Sequence, residues 1–231
     1  MKNNRVSTGI RGLDPLIGGG VKEHTVNLVA GGPGSCKSIF AVQFILEGIK
    51  KGEAGIYVTF EETKKKFYED LLSFGWDLEK HEKAGLFAFL EYTPEQVKNI
   101  LTEGGGIVES VIEKIKAKRL VIDSITSFTL LYEDELTKKE AALALFALIN
   151  KWGCTAILTS QDQSSEDHVI SAALEFEVDG IILIYHVKRK GIRKRAIEVL
   201  KMRGTRTPEK TYPLEIDSNG LKINTSRVEV F

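Results

Sequence analysis

Eight residues, Gly31-Gly32-Pro33-Gly34-Ser35-Cys36-Lys37-Ser38, constrain this chain more than any other feature. They stand between an apolar run, Thr25 to Ala30, and a segment from Ile39 to Lys51 that is apolar almost all round. A buried strand, a glycine-rich loop and a buried helix, in that order, aim backbone N–H groups at one point and add the positive end of the helix, which suits an anion. The run fits G-x-x-x-x-G-K-[ST] except at Cys36, where the pattern has glycine. In that pattern Lys37 contacts the β- and γ-phosphates of a nucleotide and the Ser38 hydroxyl ligates Mg2+. The competing reading is an ordinary glycine-rich turn, and a side chain at position 36 would crowd either the phosphates or the turn.

The alternation continues beyond the loop. Strands are expected at 55–60, 85–91, 119–123 and 154–160, and helices at 63–73, from Thr93-Pro94 onward, and up to Trp152. Thr63 is expected to cap the first of these helices, Gly104 to Gly106 to split the second, and Thr137 with Glu140 to form a capping box on the third. Continuous apolar strands separated by helices imply a mostly parallel sheet covered on both faces. The last third differs: 180–187 and 195–202 flank a charged stretch, 188–194, and 212–216 with 221–223 make a second hairpin. The expected whole is one α/β domain over residues 1–231, with a glycine-rich lead-in at 1–24 and an antiparallel extension at 178–231.

Composition narrows the function classes. With 42% apolar residues in 231, a core forms; with 32 basic and 32 acidic side chains, the chain is no general polycation. Indiscriminate nucleic-acid or anionic-membrane binding would need a local patch. Cys36 and Cys154 form neither a disulfide framework nor a zinc spacing with the four histidines, which fits a reducing cytoplasmic compartment. No secretory leader and no membrane span are expected.

Three further groups point to the mouth of the phosphate loop, because ligands of open α/β sheets bind at the carboxyl ends of the strands. Asp123 ends the strand RLVID and can hold Mg2+. Glu61 and Glu62 follow the strand after the loop helix, and a carboxylate there can polarise an attacking water; for Glu62 the alternative is a favourable charge at a helix start. Lys201 and Arg203, on one face of a late strand with Met202 turned away, can grip a triphosphate, or can be a solvated edge.

Taken together, these residues resemble the RecA superfamily, and within it the KaiC-like ATPases. The resemblance rests on STGIRGLDPLIGGG (7–20), GGPGSCKS, YVTFEET (57–63), SFGWDL (73–78), LVIDSITS (120–127) and LKMRGT (200–205), in the family's order. It implies a RecA-like P-loop core in a hexameric ring with ATP between subunits. It further implies that Gly32 to Ile39 cradle the nucleotide, that Ser38 and Asp123 serve Mg2+, and that Glu61 and Glu62 serve the water. Lys201, Met202, Arg203 and Thr205 are implied to reach ATP on a neighbouring subunit. Ser73 is implied to line the site, and Gln161 to sense the γ-phosphate. Two departures stand out: Cys36 replaces glycine, and a second ATPase domain carrying autophosphorylation sites is absent, so no circadian role follows.

The first functional expectation is an ATP-hydrolysing ring acting as a switch, with its protein partner unidentified. A DNA-handling motor ranks lower, because the loops 131–135 and 161–179 are acidic where such motors place cations or aromatics. The basic run Lys188 to Arg195 opposes that ranking, with a solvated hairpin tip as its alternative. A third possibility is a scaffold that binds ATP with little hydrolysis.

Overall fold

The computed structural model describes residues 4–93, 96, 106–161 and 177–229. Strand β1 (Arg5–Val6), the single-turn helix α1 (Leu13–Leu16) and β2 (Val21–Lys22) make up the lead-in, with β1 and β2 paired antiparallel. The core then runs β3 (Val26–Ala30), α2 (Lys37–Lys50), β4 (Gly55–Thr59), α3 (Lys64–Leu72), α4 (Leu78–Lys83) and β5 (Phe87–Glu91). It continues with α5 (Gly106–Ile115), β6 (Arg119–Asp123), α6 (Ile125–Thr129), α7 (Glu135–Trp152) and β7 (Thr155–Ser160). Strands β8 (Gly180–Arg189), β9 (Ile192–Met202), β10 (Tyr212–Asp217) and β11 (Gly220–Ile223) complete it.

Among the described residues, nine strands form one sheet in the order β11-β10-β9-β8-β3-β7-β6-β4-β5. Pairings from β8 through β5 are parallel, and β9, β10 and β11 add antiparallel to the β8 edge. The expected mostly parallel core with antiparallel C-terminal hairpins is therefore present. Every residue of β3, β4 and β7 is buried, as befits strands covered on both faces. Side-chain alternation divides the interior in two: Val29, Tyr57, Val121 and Ile157 pack with α2, α3 and the lead-in, while Leu28, Ile56, Leu120 and Leu158 pack with α5, α6 and α7.

Local chemistry moved several expected boundaries. Helix α7 begins at Glu135, not at Thr137, because the Asp134 carboxylate accepts from the N–H groups of Leu136 and Thr137. Thr63 occupies the cap position of α3 without a side-chain capping bond; Glu91, at the end of β5, takes the Lys64 N–H instead. The charged stretch 188–194 is mostly ladder. Lys188 pairs with Arg193 and Arg189 with Ile192, leaving a two-residue turn, Lys190-Gly191, with both φ angles positive. Thr93 and Gln96 exchange the two bonds of a capping box, but Pro94 and Gly104–Gly105 lie outside the described residues.

One cation fastens the lower end of the sheet. Arg119 is 1% exposed. It donates to the Glu53 carboxylate at 2.9 and 2.7 Å and to the carbonyls of Ser7 and Phe44 at 2.7 and 2.8 Å, with its guanidinium 4.6 Å from the Phe44 ring centroid. It thus ties β6 to the lead-in and to α2. Helix α2 admits it only through Gly48, where a Cβ would lie 2.3 Å from Arg119 Nε. Glycine to alanine inside a helix ordinarily stabilises by about 1 kcal/mol. Here Gly48→Ala is expected to destabilise by about 1–3 kcal/mol, because the guanidinium can move only by giving up its bonds to Glu53, Ser7 and Phe44; urea denaturation reads the sign.

Candidate nucleotide site

The loop between β3 and α2 is shaped before any ligand arrives. Gly31 lies against β8, where a Cβ would meet the Ile184 carbonyl oxygen at 2.3 Å. Gly34 and Cys36 both take left-handed backbone, φ 73° and 77°. Ser35 is fully buried while Pro33 and Gly34 face solvent, so the loop curls with its outer rim open. Lys37 folds back across it. Its ammonium donates to the carbonyls of Gly31 and Gly32 at 2.7 and 3.2 Å and approaches Ser35 Oγ at 3.5 Å. Burial lowers the Lys37 pKa, and the negative charges of Asp123 and Glu61 act against that shift. This is a poorly hydrated cation held by carbonyls that an anion can replace.

Beside the lysine, Ser38 Oγ donates to Asp123 Oδ2 at 2.7 Å. Two more hydroxyls reach the same carboxylate: Tyr57 OH to Oδ2, and Thr159 Oγ1 to Oδ1. Tyr57 is buried, and desolvation followed by the Asp123 charge pushes its pKa well up, so it remains a donor. Ser38 and Asp123 offer oxygen only, the donor set of a hard divalent cation such as Mg2+, and their oxygens already face one another.

Glu61 and Glu62 leave the end of β4 with both N–H groups near Thr59 Oγ1, at 3.3 and 3.4 Å, and line a cleft of about 370 Å3 with Tyr92 and Gln96. Their environments differ. Glu61 accepts from Ser127 Oγ at 2.5 Å, from Ser124 Oγ at 3.0 Å and from Gln161 Nε2 at 3.0 Å to each oxygen. Glu62 is exposed as a residue, but its pKa is raised, first by partial burial of its carboxyl and then by the charge of Asp123. The structure thus joins Lys37, Ser38, Asp123, Glu61 and Gln161 at the carboxyl ends of β3, β6, β4 and β7.

Other candidates stand elsewhere. Ile39 packs inward against the core below the loop. Ser73 follows the end of α3, its hydroxyl donating to the Asp70 carbonyl. The neighbouring Trp76 shares a cleft with Glu47 and Lys50 at the far end of α2 from the loop, so Ser73 is not brought to Lys37 of its own chain. Lys201 and Met202 end β9 opposite Ile181 and Gly180, beside the start of β3, and Arg203 follows in the turn. The length of β3 puts them roughly 15 Å below their own phosphate loop. Met202 is buried between the two cations, as alternation requires, and Arg203 lies 3.8 Å from Asp179. The Thr205 hydroxyl oxygen is buried without a hydrogen-bond partner among the described residues.

Several participants escaped the sequence reading. Tyr57 and Thr159 lie in expected strands with no role assigned to them, and Ser124 and Ser127 enter only as part of the block LVIDSITS. The basic hairpin reads in the sequence as a possible nucleic-acid patch or a solvated tip, and its base lies against the loop. Arg195 Nε donates to the Gly34 carbonyl at 3.1 Å, and His186 Nδ1 lies 3.4 Å from the Pro33 carbonyl oxygen. The pairing of β8 with β3 decides this, and no local pattern announces it. No group of three or more His, Cys, Asp and Glu with metal-binding geometry occurs among the described residues.

The sequence model of the family described as "ATPase: KaiC" matches residues 6–228. A UPF0273 protein of Pyrococcus furiosus is 36% identical over 97% of this chain and 95% of its own. The circadian clock protein KaiC3 of Synechocystis is 32% identical over 92% of this chain, which spans 44% of that longer protein. A crystal structure of a KaiC-like protein from Pyrococcus horikoshii superposes with a TM-score of 0.85 at 38% identity, covering 96% of this chain and 99% of that one. No helix among the described residues is long and apolar enough to cross a membrane.

Left-handed backbone at a non-glycine residue costs about 1–2 kcal/mol. Cys36→Gly is therefore expected to raise stability by about 1 kcal/mol, and Cys36→Val, branched at Cβ, to lower it by at least as much. Thermal denaturation of the two variants gives opposite shifts. Burial raises the Cys36 thiol pKa against the opposing effect of Arg195, so alkylation at neutral pH is expected to be slow.

Proposed function

The chain belongs to the KaiC family of ATPases, and from that premise we propose that it is a Mg2+-dependent ATP hydrolase working as a hexameric ring and serving as a cytoplasmic regulatory switch. The observation that carries the proposal is the convergence of Lys37, the Ser38–Asp123 pair and the clamped Glu61 on one crevice. The loop amides and the start of α2 receive the phosphates, and Lys37 exchanges the carbonyls of Gly31 and Gly32 for β- and γ-phosphate oxygens. Ser38 and Asp123 would hold Mg2+, which supplies neutralisation of charge on those oxygens. Glu61 orients a water in line with the γ-phosphorus and accepts its proton. The new P–O bond forms as the bond to the β–γ bridging oxygen breaks, giving ADP and phosphate. Gln161, reaching across from the end of β7, lies near enough to Glu61 to report the presence of the γ-phosphate.

Lys201 and Arg203 belong to this reaction in a neighbour's site. Their place at the foot of the sheet favours that reading, since they cannot serve their own loop, and the unpartnered Thr205 hydroxyl beside them suits a bond across an interface. The exposed acidic residues Glu133, Asp134 and Glu135 favour a switch over a motor that tracks nucleic acid.

Purified protein is expected to release phosphate from Mg-ATP, and Glu61→Gln to lower kcat by at least roughly a hundredfold. Phosphate release that is unchanged in Glu61→Gln would overturn the assignment. Mixing Lys37→Ala chains with Arg203→Ala chains, each inactive alone, is expected to restore roughly a quarter of the wild-type rate, the share of random interfaces that combine both intact halves. Light scattering that finds a monomer in saturating Mg-ATP would rule out the trans role.

A further inference from the structure

The Glu61 carboxylate is held unevenly. Oε1 receives three donors: Ser127 Oγ at 2.5 Å, Ser124 Oγ at 3.0 Å and Gln161 Nε2 at 3.0 Å. Among the described residues, Oε2 receives only Gln161, at 3.0 Å. A carboxylate oxygen so fully occupied has little capacity left to accept from water, whereas its twin retains it. The serines come from one place. Ser124 and Ser127 are three residues apart at the start of α6, so their hydroxyls face the same way, 3.4 Å from one another. The opposite face of that short helix is anchored, because Ile125 and Phe128 are 0% and 1% exposed and pack in the core. The donors are thus fixed to the interior of the domain, not to a surface loop.

Gln161 is the less dependable of the orienting groups. Its side chain is exposed, and its own placement depends on the bond from its N–H to Thr126 Oγ1 at 2.9 Å. If it turns toward a γ-phosphate, Glu61 keeps only the serines. Of these, Ser127 makes the shorter bond and is half-buried at the edge of the cleft.

We propose that Ser127 is a positioning residue for hydrolysis: its hydroxyl pins Oε1 of Glu61 so that Oε2 meets the attacking water. The proposal rests on the reading of Glu61 as the group that activates water, and goes beyond it by naming what holds that group and which oxygen works. A hydrogen bond to a charged acceptor of this kind, once removed, corresponds to roughly a tenfold effect on the step that uses it.

Phosphate release by wild type, Ser127→Ala, Ser127→Thr, Glu61→Gln and the Ser127→Ala/Glu61→Gln double variant provides the test, with thermal denaturation of each as a check on folding. Ser127→Ala is expected to lose about tenfold in kcat while the KM for ATP stays within about twofold. Ser127→Thr, which keeps the hydroxyl, is expected to recover most of the rate. In the Glu61→Gln background, Ser127→Ala is expected to change nothing further, since it acts through the carboxylate. A Ser127→Ala variant with wild-type kcat overturns the proposal, as does an equal loss in both backgrounds or an effect confined to KM. If Glu61→Gln itself turns over ATP like wild type, the parent reading fails and this one with it; a dead Glu61→Gln beside an unaffected Ser127→Ala sinks only the positioning role.

Discussion

Asp123 is the point on which the site depends. Its carboxylate accepts hydroxyls from Ser38 at the start of α2, Tyr57 on β4 and Thr159 on β7, three elements far apart in the chain. Sheet register makes this possible. Thr59 lies opposite Asp123, and Ile122 lies opposite Leu158, so Tyr57 and Thr159 flank the end of β6 from either side. A partly buried carboxylate without donors would favour protonation or exposure. With donors on both oxygens it keeps a fixed orientation toward Ser38, and the phosphate loop is thereby fixed relative to the strand ends that carry Glu61 and Gln161.

The two sides of the crevice are built on different principles. The loop side relies on main-chain groups: carbonyls hold Lys37, and left-handed turns at Gly34 and Cys36 set the curl. The carboxylate side relies on side-chain hydroxyls, from Tyr57, Thr59, Ser124, Ser127 and Thr159. Backbone recognition needs no particular side chain, so Cys36 can stand in a glycine position with the curl intact, at the cost of its left-handed backbone. Hydroxyl recognition does not tolerate loss of an oxygen, because a buried acceptor is then left short of a donor.

Much of this architecture is legible in the linear sequence because its signals are local. The run from Thr25 to Ser38 declares strand, loop and helix by composition alone, and the apolar stretch ending at Asp123 matches strand β6 residue for residue. The start of α3 falls after Thr63 as expected, although Glu91 from a distant element supplies the bond there, whereas the start of α7 moved because a nearby acid, Asp134, outcompetes a hydroxyl. Within the site, the charged groups stood out because charge at a strand end is costly without a purpose. The hydroxyls did not, since Tyr57 and Thr159 are ordinary β-sheet residues until register places them beside a carboxylate. Arg195 was hidden for the same reason: only the neighbouring of β8 and β3 brings it to Gly34.

Strand β9 has a mechanical property that none of its residues has singly. It touches the Gly34 carbonyl through Arg195 near its beginning and carries Lys201 near its end, six positions on, a span of roughly 20 Å. It is paired with β8 from Arg195 to Val199 and again at Lys201, with a bulge at Leu200, and with β10 through Ala196 and Ile197. Up to that bulge the strand is held by neighbours on its ladder edges. In a ring where the far end enters the adjoining cleft, a shift of one curl by phosphate arrival would reach the next station around the circle along this strand.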